Sequence, residues 1–205
     1  MNNRVVTQET DNKSRNELLS FLSKIPLLTN EEVKALAENI PVRFFKKGTV
    51  LVNEGDICNK CYFVLKGCLR QYIFINGVDK STQFYTEEQA AVFFSSIANQ
   101  SKSESHLSCV EDSILIVGEP NSETEMYKKF PKLEQITRMM MAQDFGKIQD
   151  ALSYFIASSP EERYLNLLKT KPDLLQRVPQ HQLASYIGVS PESLSRIRKR
   201  LLKAR

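Results

Sequence analysis

Apolar positions between residues 14 and 39 recur at helical spacing. Leu18, Leu19, Phe21, Leu22 and Ile25 share one face, and Val33, Leu36, Ala37 and Ile40 carry the stripe onward. Pro26 interrupts it, because proline disfavours helix at the residue before it. Thr29-Asn30-Glu31-Glu32 reads as a restart, with a capping side chain ahead of two acids. From Pro41 the period shortens. Residues 42–45, 49–52, 62–65, 69–75, 81–85 and 105–117 are runs rich in β-branched and aromatic side chains. Turn signals separate them at Lys47-Gly48, Glu54-Gly55-Asp56, Lys66-Gly67 and Asn76-Gly77. Asn-Gly between two apolar runs is a strong hairpin signal, since both turn positions need positive φ. Short strands with frequent turns predict an antiparallel roll or barrel rather than a parallel sheet.

The pattern then returns to helix. Residues 131–157 hold no proline after the first and a single glycine, Gly146. Met141, Phe145, Ile148, Leu152 and Phe155 follow the spacing of a heptad seam. Such a helix either packs on its own β-domain or lays one face on a twin. Ser158-Ser159-Pro160-Glu161-Glu162 marks a break and a new helix start, with proline at the first helical position and acids behind it. The expected organisation is α+β: a flexible N-terminus (1–13), a domain built on the β-roll (14–130), a long helix (131–157) and a helical C-terminal unit (158–205).

Composition adds little until it is divided. At 41% apolar and 25% charged, the chain is of globular rather than disordered type. No apolar run approaches the roughly 20 residues that span a bilayer. The polar first residues lack the apolar core of a signal peptide, so the expected location is the cytoplasm, with no membrane partner. The net charge of +4 is uninformative as a total. Residues 158–205, however, carry ten Lys and Arg against four Asp and Glu, a local +6, which leaves −2 for the remainder. A basic C-terminal unit on a slightly acidic body points to a nucleic-acid or membrane-surface contact at that end.

The same unit holds the sharpest pattern in the chain. Residues 180–186 read as a short helix with Leu183 and Ala184 inward, and Ile187-Gly188-Val189 as a turn that needs glycine for a left-handed conformation. Ser190 is placed to cap a second helix with Pro191 at its first position. Leu194, Ile197 and Leu201 form that helix's apolar face, leaving Glu192, Ser193, Arg196 and Lys199 on the other side. A helix-turn-helix of this kind lays its second helix in the DNA major groove. Arg196 suits guanine O6 and N7, and Glu192 suits cytosine N4. Arg198, Lys199, Arg200, Lys203 and Arg205 suit phosphates. The DNA-contacting set is Gln180, Ser190, Pro191, Glu192, Ser193, Arg196, Lys199 and Arg200. The bland alternative is a helical hairpin with a solvated basic face.

Cys58 and Cys61 form a C-x-x-C pair, but with only Cys68 and Cys109 besides, no zinc or iron–sulfur spacing is met. Reduced structural thiols are expected, with a metal or redox role as the alternative. The histidines, His106 and His181, sit beside no evident nucleophile set, so no enzyme is expected.

The order of roll, long helix and helix-turn-helix resembles the Crp/Fnr family of bacterial transcription regulators, over nearly the whole chain. The resemblance rests on Phe45-Lys46-Lys47-Gly48-Thr49-Val50-Leu51, Glu54-Gly55-Asp56, Tyr62-Phe63-Val64-Leu65-Lys66-Gly67 and Gly188-Val189-Ser190-Pro191-Glu192-Ser193-Leu194-Ser195-Arg196-Ile197. It implies an N-terminal double-stranded β-helix or jelly roll of cyclic-nucleotide-binding type. It also implies a homodimer joined through the Met141, Phe145, Ile148, Leu152 and Phe155 seam, bound to a two-fold-symmetric site. Glu192 and Arg196 match the family's base-reading pair, while Pro191 replaces a usual basic residue. RNA polymerase is a further partner that the resemblance leaves open.

The pocket departs from the family. Nucleotide-binding members show a Gly-Glu-Leu/Ile segment followed by Arg-Ser or Arg-Thr. Here Ala90-Ala91-Val92-Phe93-Phe94-Ser95 has neither the glycine nor the glutamate, and Ser103-Glu104 stands at the second motif. A glutamate there repels a phosphate, and Lys102 lacks the guanidinium fork. No cofactor is expected and cyclic AMP is not expected to bind. An unidentified effector would meet Phe93, Phe94, Lys102, Ser103 and Phe145; an empty or vestigial pocket is equally open. The C-terminal wing common in relatives is expected to be absent or reduced to a piece ahead of Val178. The competing functional reading is a small-molecule sensor whose basic unit binds protein instead of DNA.

Overall fold

The computed structural model describes residues 8–203. The chain runs α1 (Gln8–Leu22), α2 (Asn30–Asn39), β1 (Val42–Phe45), β2 (Val50–Val52), β3 (Cys61–Lys66), β4 (Leu69–Ile75), β5 (Val78–Tyr85), β6 (Ala90–Val92), α3 (Phe94–Asn99), β7 (His106–Cys109), β8 (Ser113–Gly118), α4 (Pro120–Lys129), α5 (Pro131–Ala157), α6 (Pro160–Thr170), α7 (Leu174–Arg177), α8 (Gln180–Tyr186) and α9 (Pro191–Lys203). Two four-stranded antiparallel sheets, ordered β1-β8-β3-β6 and β2-β7-β4-β5, make a roll of jelly-roll type. The α+β class and the expected roll are therefore found.

Strand alternation decides what each sheet covers. Tyr62 and Val64 of β3 and Leu115 and Val117 of β8 face the second sheet, where they meet Val52, Leu69, Leu107 and Cys109. Phe63, Leu65, Ile114 and Ile116 point out of the opposite face and are covered by Leu18, Leu22, Val33 and Leu36 of α1 and α2. A sheet buried on both sides explains why β8 reads as an unbroken apolar run. The helix restart at Thr29 is a full capping box: Thr29 N–H donates to the Glu32 carboxylate and Glu32 N–H to Thr29 Oγ1. The Asn76-Gly77 hairpin has positive φ at both turn residues, 51° and 76°. Gly67 (φ 112°) is sterically required, since a Cβ there would lie 2.3 Å from the buried Ser113 Oγ.

Several boundaries differ from the sequence expectation. α1 begins at Gln8, so residues 8–13 of the expected flexible segment are helical, and residues 1–7 lie outside the described residues. The apolar run 105–117 is two strands in different sheets. Its reversal is pinned by Asp112, which accepts from Lys47 N–H at 2.9 Å and pairs with Lys46. α4 and the one-turn α7 carry too few apolar positions to have been read. The piece ahead of Val178 is the helical turn α7 and not a strand.

Candidate nucleic-acid interface

α8, a tight turn and α9 form the anticipated helix-turn-helix. Leu183 and Ala184 are buried against Leu194 and Ile197, and the alanine lets the two helices approach closely. Gly188 sits at φ 75°, donating to Ser185 O, while Val189 N–H donates to Ala184 O. Ser190 Oγ accepts from Ser193 N–H at 3.2 Å and so caps α9, with Pro191 at the first helical position.

Opposite the buried face, Gln180, Ser190, Pro191, Glu192, Arg196 and Lys199 are exposed and Ser193 half-buried. Arg196 Nη2 donates to Ser193 Oγ at 3.0 Å, which holds the guanidinium along the helix surface. Glu192's own backbone N–H, then the Ser190 hydroxyl, keep its carboxyl below the usual carboxylate range. It is an ionised acceptor at neutral pH, as reading an amino group requires. Arg200 is differently placed: its guanidinium pairs with Glu161 at the start of α6. Arg196 and Arg200 line a cavity of ≈ 360 Å³ with Ser159, Glu161 and Ile197.

Much of the basic charge is spent inside the fold. Arg163 stacks on Phe155, 4.3 Å from its ring centroid, and donates to Ile187 O at 2.9 Å. Burial pushes the Lys171 ammonium pKa down. Arg177 leaves the unit altogether. Its Nη1 and Nη2 donate to the two oxygens of Glu87 at 2.8 Å, and Nη2 also meets Glu111 at 2.6 Å. These contacts, with Phe84 against Tyr186 (5.2 Å) and Ser81 N–H donating to Ser185 Oγ (2.9 Å), dock α6–α8 on the roll. One buried cluster runs from Cys68, Phe84 and Val110 of the roll to Leu167, Leu174, Leu183 and Ile187. Pairs separated by 66 to 104 residues leave no local signal, and sequence reasoning missed them.

Only Ile136 of α5 is buried. Met141, Phe145 (64% exposed), Ile148, Leu152 (59%) and Phe155 (40%) lie bare along the heptad seam, and Arg163 covers part of Phe155. An apolar face this long left in water is the mark of an interaction surface.

The five proposed pocket residues are scattered in character. Phe93 packs on the roll core, while Phe94 and Phe145 are exposed. Lys102 is exposed, and Ser103 is buried with its hydroxyl donated to Ser105 O. Inside the roll Tyr85 OH donates to Gln71 Oε1, whose Nε2 donates to Ser105 Oγ. Arg70, the buried guanidinium of β4, lies on the strand's other face beside Phe84, turned to Asp79 and Ser81. The Tyr85, Gln71 and Ser105 side chains are bonded to one another, whereas the buried Arg70 Nη2 has an ion pair with Asp79 at 2.9 Å and no hydrogen bond of its own. His106 stacks on Tyr72 at 4.8 Å and has Glu54 N–H at 3.3 Å from Nδ1, with the Glu54 carboxylate 3.5 Å from Nε2. All four cysteines are free, and burial pushes the Cys61, Cys68 and Cys109 thiols up to about 12. Such thiols are protonated at neutral pH.

The fold and interface thus define a class: a roll of cyclic-nucleotide-binding type carried by a long helix and followed by a helix-turn-helix. Residues 42–127 match the cyclic nucleotide-binding domain family. Among solved structures, the chain is similar to a CooA variant from Carboxydothermus hydrogenoformans (12% identity, 91% of this chain and 84% of that one, TM-score 0.66). It is similar to FixK2 from Bradyrhizobium japonicum (14%, 80% and 85%, 0.64). It is also similar to the catabolite activator protein of Thermus thermophilus (20%, 87% and 86%, 0.50). No curated protein gives a significant sequence match. These likenesses are of the cyclic nucleotide-binding domain over 42–127 and, beyond it, of the fold. No described helix is long and apolar enough to cross a membrane.

Proposed function

We propose that the protein is a cytoplasmic, homodimeric transcription regulator that reads a two-fold-symmetric DNA site. The observation that carries this is α9: a capped helix whose apolar side is buried and whose Glu192, Ser193, Arg196 and Lys199 form an uncovered polar face. In this reading Arg196 and Glu192 contact base edges, and Gln180, Ser190, Pro191, Ser193 and Lys199 complete the contact. Arg200 reaches DNA only by exchanging Glu161 for a phosphate. The α5 seam joins two protomers and sets the two recognition helices about one DNA turn apart. RNA polymerase is the partner through which a bound regulator acts.

Selection by the purified protein from a pool of randomised duplexes is the direct test. An enriched, roughly palindromic sequence is expected, bound with an affinity that falls steeply with salt. Recovery of unenriched duplexes would defeat this reading in favour of a sensor that binds protein. The roll takes no cyclic nucleotide in this proposal, because Ala90–Ser95 lacks the glycine and glutamate of nucleotide-binding relatives and the interior Tyr85, Gln71 and Ser105 are bonded to one another. Millimolar cyclic AMP or cyclic GMP is expected to leave the melting temperature unchanged. A rise of several degrees would reverse that conclusion.

A further inference from the structure

α6 is joined to α5 by a single break at Ser158–Ser159, in extended backbone. A helix-turn-helix hung on so short a hinge can rotate unless something distant holds it. Near the hinge, Arg163 ties Phe155 to the turn carbonyl of Ile187. Far from it, the contacts with the roll are of two kinds. The apolar part, Phe84 with Tyr186 and Cys68 and Val110 with the α6–α8 core, is adhesive but not directional. The directional part is Arg177, 19% exposed, gripped by both oxygens of Glu87 and by Glu111. Glu87 is itself anchored, since its Oε1 accepts from Gly67 N–H at 2.9 Å in the β3–β4 turn. The other directional contact, Ser81 N–H to Ser185, is one neutral bond.

From this division of labour we infer that Arg177 is a positioning residue for DNA spacing: clamped to Glu87 and Glu111, it fixes the orientation of the reading helix and with it the half-site separation the dimer accepts. The inference rests on the DNA reading above. In a two-fold dimer any rotation of one head is repeated by the other. One base pair adds about 3.4 Å of rise and about 35° of twist along the duplex, so each head must drift through roughly half of that rise and turn through roughly half of that angle to admit a different spacing. Loss of the clamp leaves the apolar docking and α9 itself in place. Affinity for a half-site is therefore retained while discrimination between spacings is lost.

The experiment is the randomised-duplex selection run in parallel with the parent, Arg177→Ala and Glu87→Gln/Glu111→Gln, each protein checked by its melting curve. The second variant removes the charge and leaves the side-chain shape, and it decides the matter if Arg177→Ala fails to fold. The parent is expected to enrich one half-site separation. The variants are expected to enrich the same half-site sequence at several separations. The preference of the parent for its own spacing over one a base pair longer is expected to fall about tenfold in the variants, the scale of a charge-assisted bond. A folded variant that keeps the single separation overturns the role of Arg177 while leaving the DNA reading intact. A parent that enriches no sequence overturns both.

Discussion

Arg196 and Lys199 lie three residues apart on α9, and both are exposed, yet chemistry assigns them different work. A guanidinium fork makes two hydrogen bonds to guanine, so Arg196→Ala is expected to cost about 1–3 kcal/mol on the selected site and to flatten preference at one base pair per half-site. An ammonium meets phosphate as a point charge, so Lys199→Ala is expected to weaken all duplexes alike and to lower the salt slope by about one per protomer. Titrations at several salt concentrations, on matched and single-mismatch duplexes, separate the two. If Arg196→Ala lost affinity equally for every sequence, the residue would be a phosphate contact. Both positions were legible in the sequence, because cap, proline and apolar spacing set the helix phase and the phase sets which side chains face away. Arg200 was not: the same phase places it near this face, and only folding brings Glu161 beside it.

Among the elements, α5 is the one whose sequence exceeds what its own protomer can use. Its heptad seam is apolar, and apart from the contact of Phe155 with Arg163 it is bare. Burying a leucine is worth about 1.5–3 kcal/mol, and two-fold symmetry counts each residue twice. Leu152→Lys is therefore expected to raise the dimer dissociation constant by on the order of a hundredfold. Sedimentation would show monomer, and affinity for a palindrome would drop to that of a single half-site. An unchanged dimer would move the seam's role to another partner. The heptad spacing left two readings open, and the exposure along the helix shows that the seam is not packed on the chain's own roll. α4 shows the opposite case: its mixed composition carried no periodic signal, and it forms where Pro120 opens a helix that packs on α5.

For the whole molecule, the joint between roll and α6–α8 is expected to carry a pH dependence. Burial pushes the Glu87 carboxyl up, but the bonds from Arg177 and from Gly67 N–H outweigh it and hold the group below its ordinary 4.5. Lys66 also faces it, and Glu111 shares its arginine. A carboxylate with a depressed folded value contributes stability that is present above the unfolded value and is lost as pH falls through the folded one. Amide exchange across α6–α8 is therefore expected to stay slow at neutral pH and to quicken below about pH 4.5 before the roll itself opens. Glu87→Gln should quicken exchange at neutral pH and remove much of that acid step. Uniform exchange of roll and head at every pH would show that the joint is not a separate unit.

The sequence by itself determined the elements whose causes are local. The β-turns come from glycine and asparagine at positive φ, the capping boxes of Thr29 with Glu32 and of Ser159 with Glu162 from a hydroxyl three residues ahead of a glutamate, and the helix-turn-helix from one glycine, one cap and one apolar phase. It also placed the excess positive charge at the C-terminal end of the chain. What only the tertiary structure decided is how that charge is divided. Arg163, Lys171, Arg177 and Arg200 are engaged within the fold, while Arg196 and Lys199 remain outward on α9. The physical reason is that a charge's partner is set by distance in space. The acids that hold Arg177 lie 66 and 90 residues before it in the chain, a separation across which no local pattern carries information.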